Sequence, residues 1–280
     1  MAGGTVVVTG ASTGIGAAAA TRLAAIGFDV YAGVRSDADA ERLLADGLRP
    51  LRIDVTDGAS IAAAAERVRD DVGGAGLAGL VNNAGIAVSG PVEFVPIDAW
   101  RRQLEVNLIG QVAAIQSFLP QLRDGGGGRI VNVSSIGGRI ALPLAGPYAA
   151  SKFALEAVSD SLRRELRGQG VEVSLIEPGA VKTPIWEKGL AAADELEAGM
   201  PPDADALYGH LVRGLRREVD RIVADTGIDP AEVSDAIVHA LTARKPRTRY
   251  LVGREAKLRW AAAKRLPDRA FDALVARALR

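Results

Sequence analysis

The stretch Thr5-Val6-Val7-Val8-Thr9-Gly10-Ala11-Ser12-Thr13-Gly14-Ile15-Gly16 constrains this chain more than any other. Its β-branched run shows no polar alternation, as expected of a strand covered on both faces. Three glycines follow, then an alanine-rich segment of helical character over residues 17–26. Strand, glycine turn and helix in that order form the setting of a dinucleotide fingerprint. Each glycine has a physical reason there: a tight turn, close approach of backbone to pyrophosphate, and close helix-to-strand packing. The amides and positive dipole end of the new helix then hold phosphate. The spacing is Gly-x-x-x-Gly-x-Gly and not the commoner Gly-x-Gly-x-x-Gly, so the context carries the reading.

The rest of the chain repeats this alternation. Strands are expected over residues 29–34, 50–55, 77–81, 128–135, 171–176 and 249–252. Between and after them, helical spacing marks residues 57–72, a long helix over 100–122 with Asp98 as its cap, 148–167, 204–225 and 229–243. Met200-Pro201-Pro202 reads as a break. Strands alternating with helices imply right-handed βαβ units. The expected fold is α/β: a doubly wound, mainly parallel seven-stranded sheet, Rossmann-like, with helices on both faces. No repeat or low-complexity linker interrupts it, so one continuous domain over 1–280 is expected.

Composition removes several chemistries. The chain has no cysteine, which excludes disulfides, thiolate metal sites and cysteine nucleophiles. Its only histidines are His210 and His239, so a histidine-rich metal site is not expected. Thirty-four basic residues balance 34 acidic ones, and nothing global points to nucleic acid. No uncharged apolar segment is long enough for a membrane span, and no export signal is visible. A cytoplasmic location is the default expectation.

Candidate chemistry gathers at the strand ends. Tyr148 and Lys152 lie four apart and share a helix face. A cation there favours the phenolate and moves tyrosine toward acid/base work near neutrality. The pair alone also suits a solvated helix edge. Arg35, at the tip of the second strand, stands where a carboxylate would read a free ribose 2′-hydroxyl. Guanidinium pairs well with phosphate, so NADP(H) is favoured over NAD(H). Asp54 ends the third strand toward an adenine edge. Asn107 interrupts an apolar helical run: either a satisfied polar residue between helices or a kink whose freed carbonyl holds a water near Lys152.

Together these pieces resemble the short-chain dehydrogenase/reductase family. The carriers are Thr9-Gly10-x-x-x-Gly14-Ile15-Gly16, Asn82-Asn83-Ala84-Gly85, Asn107, Ser135 thirteen residues before Tyr148, Lys152, and Pro178-Gly179. The resemblance covers roughly residues 3–185. Val30-Tyr31-Ala32-Gly33-Val34-Arg35 and the run from Ala149 to Glu156 look most like its hydroxysteroid- and retinol-dehydrogenase-like branch. The resemblance implies hydride transfer between a nicotinamide and an alcohol or ketone. Tyr148 would pass the proton, and Ser135 would bond the substrate oxygen, with Ser134 packing or capping. Lys152 would lower the phenol pKa and hold the nicotinamide ribose. Asn107 would keep a water linking Lys152 to solvent. Cofactor contacts would come from Gly10, Ser12, Thr13, Gly14 and Ile15, from Arg35, Asp54 and Val55, and from Asn83, Ala84 and Gly85. Tyr148, Lys152, Pro178, Gly179, Val181 and Thr183 would complete them. No metal is expected.

The resemblance places a substrate lid near residues 184–227. Trp186, Leu190, Leu196, Met200, Leu207 and Tyr208 there suggest an apolar alcohol or ketone. It also implies a homo-oligomer, dimer or tetramer, through the long helices. Residues 244–280 hold twelve basic side chains against three acidic. The basic amphipathic tail over 254–280 is expected to dock on its own domain or a partner subunit, ahead of a membrane surface. The alternatives are the same chemistry with NAD(H), and a catalytically silent nucleotide-binding regulatory protein. Nucleotide-sugar epimerisation would want a larger carboxyl-terminal domain.

Overall fold

A computed structural model of the chain describes residues 3–201 and 203–279. Of the expected features, Pro202 in the break and Arg280 at the tail's end lie outside these residues. The first half runs β1 (Thr5–Val8), α1 (Gly14–Ala25), β2 (Asp29–Val34), α2 (Asp37–Ala45), β3 (Arg49–Arg52), α3 (Gly58–Val72) and β4 (Gly79–Asn82). Then come α4 (Ile97–Leu104), a π turn (Glu105–Ile109), α5 (Gly110–Asp124), β5 (Arg129–Val133), a 3₁₀ turn (Ile136–Gly138) and α6 (Gly146–Glu165). The chain continues through β6 (Glu172–Pro178), α7 (Ile185–Ala198), α8 (Ala204–Arg221), a second π turn (Ile222–Thr226) and α9 (Pro230–Thr242). It closes with β7 (Arg249–Val252), α10 (Arg254–Arg265) and α11 (Asp268–Ala278).

The seven strands form one sheet in the order β3-β2-β1-β4-β5-β6-β7. Every pairing is parallel, so the expected mainly parallel sheet is wholly parallel. The unbroken valine run of β1 follows from its place at the centre. Val6 and Val8 pack with Leu23 of α1 and Ile237 of α9 on one face. Val7 packs with Ile61 and Val68 of α3 and Phe118 of α5 on the other. The strand order reverses at β1, and in open sheets of this kind ligands bind beyond the carboxyl ends at that point.

Several boundaries differ from expectation. β3 stops at Arg52, which leaves Asp54 and Val55 in the loop beyond it. The helix expected over 100–122 is interrupted by the π turn at Asn107, so the kink is real. Asp98 does not cap it: Pro96 holds that position, and Asp98 pairs with Arg101 at 2.8 Å. α6 starts at Gly146, two residues before Tyr148, with Pro147 in its first turn, where a missing N–H costs nothing. The last residues of the helix expected over 204–225 fall in the second π turn. Among the described residues, no helix is long and apolar enough to cross a membrane.

Candidate active site

The glycine turn is shaped for close approach. Gly10 has φ +64°, and a β-carbon there would lie 2.8 Å from the Ala84 Cα. At Gly16 it would overlap the Gly10 carbonyl and the Asn83 amide. Thr13 holds the N-cap of α1, yet its side chain makes no capping bond and no acidic residue enters the first turn. The first amides of α1 therefore face the crevice uncapped, which suits an anionic phosphate. Ser12 and Ile15 flank this turn, and the Ser12 carbonyl accepts from Arg42 at 2.7 Å.

The strand ends are tied together by side-chain amides. Asn83 donates to the carbonyls of Thr9 (3.0 Å) and Gly10 (2.9 Å). The backbone N–H groups of Asn83 and Ala84 donate to the Thr9 hydroxyl at 3.0 and 3.1 Å. This locks the end of β4 onto the glycine turn. Fully buried Asn107 accepts from the Ile86 N–H at 2.9 Å and donates to the Ile86 carbonyl at 3.0 Å. Its amide also donates to the Ser151 hydroxyl at 3.3 Å. Asn107 is thus both a satisfied polar residue and the centre of a kink, and Gly85 passes beside it.

Tyr148, Ser135 and Lys152 converge where β5 ends and α6 begins. The Lys152 ammonium is buried and donates to the Val133 carbonyl at 2.7 Å. It stands 5.8 Å from the centre of the Tyr148 ring. The Ser135 hydroxyl accepts from the Gly137 N–H at 3.0 Å, which leaves its own hydrogen to donate. Burial pushes the Tyr148 phenol above its ordinary value, and the Ser135 hydroxyl draws it back in part. This corrects the expected direction: desolvation exceeds any help from Lys152. Burial also pushes Lys152 down to about 8, opposed by the charge of Glu156. Ser134 is buried and its hydroxyl has no partner among the described residues, consistent with packing.

The remaining expected contacts lie at or just beyond the carboxyl ends of β2, β3 and β6. Arg35 is exposed at the tip of β2. Although burial raises Asp54, hydrogen bonds from Thr56 and the charge of Arg35 outweigh it and hold the carboxyl low. Val55 is buried, its carbonyl pressed against Gly110 at the head of α5. Across the sheet, Pro178 ends β6 and Gly179 donates to the Val252 carbonyl at 3.0 Å. Val181 bridges to Ile228, and its carbonyl accepts from the Trp186 indole at 2.7 Å. These ties deliver Thr183 onto the glycine turn: its Cγ2 lies 3.0 Å from where a β-carbon on Gly14 would sit. The site suits a dinucleotide, with uncapped amides at the start of α1, a glycine-rich turn and the buried Lys152 on α6.

A small cleft of about 30 Å³ opens between the loop at Gly90 and Pro91, Leu144, and the helices α7 and α8. Leu190 and Met200 line it as expected, whereas Leu207 is exposed on the outside. Leu144 has φ +65°, a strained value for leucine, just before α6. Behind the site, Arg139 pairs with the buried Glu177 at 2.7 Å, and Trp260 of α10 stacks on Arg139 at 5.0 Å. Neither contact was visible in the sequence pattern; the position of Arg139, four residues after Ser135, was the only available signal. Through Trp260, Ala256 and Arg259, which pairs with Glu218, the tail docks on its own chain.

Residues 4–193 match the family model for short chain dehydrogenase. The chain belongs to the short-chain dehydrogenase/reductase family. It is 39% identical over 278 residues to mouse retinol dehydrogenase 5, covering 96% of this chain and 87% of that one. Bovine 17-beta-hydroxysteroid dehydrogenase type 6 is also 39% identical, covering 97% and 87%. These place the chain in the hydroxysteroid/retinol-dehydrogenase-like branch. A short chain dehydrogenase from Burkholderia cenocepacia J2315 in complex with NADP superposes with TM-score 0.73 at 29% identity, covering 100% of this chain and 98% of that one. One from Burkholderia phymatum in complex with NAD gives 0.78 at 25% identity, covering 94% and 95%. The chain is a nicotinamide-dependent oxidoreductase of this family.

Proposed function

We propose that this enzyme transfers hydride between NADP(H) and a secondary alcohol or its ketone, or a primary alcohol or its aldehyde, on an apolar substrate. The observation that carries this reading is the convergence of Tyr148, Ser135 and Lys152 at the end of a groove that begins in the uncapped turn at Gly14. When bound, the nicotinamide supplies the hydride chemistry. Everything else falls to the chain's own residues. Uncapped amides at Gly14 and Ile15 hold the pyrophosphate. Arg35 pairs with a 2′-phosphate, since no carboxylate occupies the tip of β2. Ser135 donates to the reacting oxygen and steadies its charge.

Tyr148 gives a proton to that oxygen in reduction and takes it back in oxidation. Burial raises the phenol, and the Ser135 hydroxyl opposes that shift. Lys152 holds ribose hydroxyls and, while charged, favours the phenolate. Asn107 keeps the kink from which a water relays protons toward Lys152. The helices α7 and α8 cover the apolar cleft and exclude water. In the cell the enzyme is cytoplasmic and works as a homo-oligomer. The test is turnover of a panel of apolar alcohols and ketones with both nicotinamide cofactors, followed at the absorbance of the reduced ring. Tyr148→Phe should abolish turnover and leave cofactor binding intact; a Tyr148→Phe enzyme that still turns over would refute the mechanism.

A further inference from the structure

One buried cluster behind the site has no part in the chemistry described so far. Glu156 lies one helical turn beyond Lys152 on the same face of α6, and side chains so spaced are neighbours. Lys152 is 4% exposed and Glu156 7%, so little water separates or screens them. Glu156 accepts from Arg249 at 3.1 Å through Oε2, while Oε1 is buried with no donor among the described residues. The 3₁₀ turn after Ser135 crosses α6 between the two: a β-carbon on Gly138 would lie 3.1 Å from both the Lys152 carbonyl and the Glu156 Cγ.

We propose that Glu156 is a positioning residue for the reaction: the counter-charge that keeps Lys152 an ammonium in a site too dry to hold one unaided. This rests on the proposed roles of Tyr148 and Lys152. The groups that set the field at Glu156 come from four elements. On α6 itself are Asp160 and Arg163, which pair with each other at 2.9 Å. From β7, Arg249 reaches Glu156, Asp160 (2.9 Å) and Glu177 (3.2 Å). From β6 comes Glu177, 2% exposed, whose carboxyl the charge of Glu156 helps to raise. From the turn after Ser135 comes Arg139, held to Glu177. Asp160 is already paired with Arg163, and the partly exposed Arg139 and Arg249 serve Glu177 and Glu156, while the Glu156 Oε1 atom stays buried without a donor among the described residues. Among the described residues Lys152 is the only buried lysine or arginine, and it lies one turn from that carboxylate on the same helix face.

The chain makes this measurable, because it contains only six lysines and the other five are exposed. With lysine labelled at Cε, NMR can follow each ammonium through its titration in the full-length protein, and Lys152→Arg identifies the Lys152 signal by its loss. Lys152 should titrate below the other five. In Glu156→Gln, which keeps the shape and can still accept from Arg249, its midpoint should fall by about one further pH unit. Glu156→Asp, which keeps the charge, should restore most of the loss. Glu177→Gln, which leaves both arginines free to screen Glu156, should lower Lys152 as well, and it serves if Glu156→Gln does not fold. An unmoved Lys152 in whichever variant folds would overturn the proposal. The titration needs no substrate, so an enzyme inactive on every alcohol would refute the proposed function and leave this inference standing.

Discussion

The Lys152 ammonium stands 5.8 Å from the centre of the Tyr148 ring, and its one hydrogen bond to protein goes to the Val133 carbonyl. Distance and burial together mean that neither group has its ordinary proton affinity. Lys152 falls from 10.5 to about 8, a cost of about 3 kcal/mol while it is charged. That cost is present below pH 8 and is relieved as pH rises toward 10.5, because the unfolded chain then holds more protons than the folded one. Urea unfolding between pH 7 and pH 10 should show wild type gaining stability relative to Lys152→Met. Lys152→Met should also lower kcat by ~100- to 10,000-fold. A stability difference that runs the other way would remove the buried charge from the account.

Glu177 has the opposite sign. Burial, reinforced by Glu156 and opposed by Arg139, pushes it up to about 7. The folded protein therefore keeps a proton that the unfolded chain sheds above pH 4.5, and stability from this group is lost as pH rises from there through 7. Glu177→Gln should flatten that part of the stability curve, read by thermal melts between pH 4.5 and 7.5. A variant that tracks wild type across the range would show that Glu177 titrates normally.

Asn107 satisfies both polar groups of Ile86 from inside a π turn. Replacing it with leucine strands them in a dry interior and should cost about 2–4 kcal/mol of stability. Denaturant midpoints would report this. Turnover should fall more than cofactor affinity, because the Asn107 amide also holds the Ser151 hydroxyl of α6, the helix that carries Tyr148 and Lys152.

Arg35 is the basic side chain at the tip of β2, exposed, with its charge acting on Asp54. Arg35→Ala should raise KM for NADPH by about tenfold or more and leave KM for NADH nearly unchanged. Equal use of both cofactors before and after the change would argue against a 2′-phosphate at this position.

Trp260 stacks on Arg139, which in turn pairs with Glu177. Trp260→Ala should raise substrate KM several-fold by loosening the turn that carries Ser135, with cofactor affinity preserved. Steady-state kinetics and cofactor titration separate the two effects.

Much of this could be read along the chain because it is local. The valine run of β1, the glycine turn and the break at Asn107 are each decided by a few adjacent residues. The same holds for β2 and β7, whose expected bounds match. Three things were not local. Boundaries such as Pro96 in place of Asp98, the early end of β3, and α2, which has no counterpart among the expected helices, depend on how the loops pack. The direction of the Tyr148 shift depends on how much water the folded site excludes, which spacing does not carry. The ionic cluster joins residues 139, 156, 177 and 249, brought together only by the parallel order of β5, β6 and β7.

The stacking of Trp260 on Arg139 has a practical side. It puts α10 of the carboxyl-terminal tail in mechanical touch with the catalytic turn, so handling that end of the polypeptide is handling the enzyme's working parts. Changes that unseat α10 should disturb catalysis before they disturb folding.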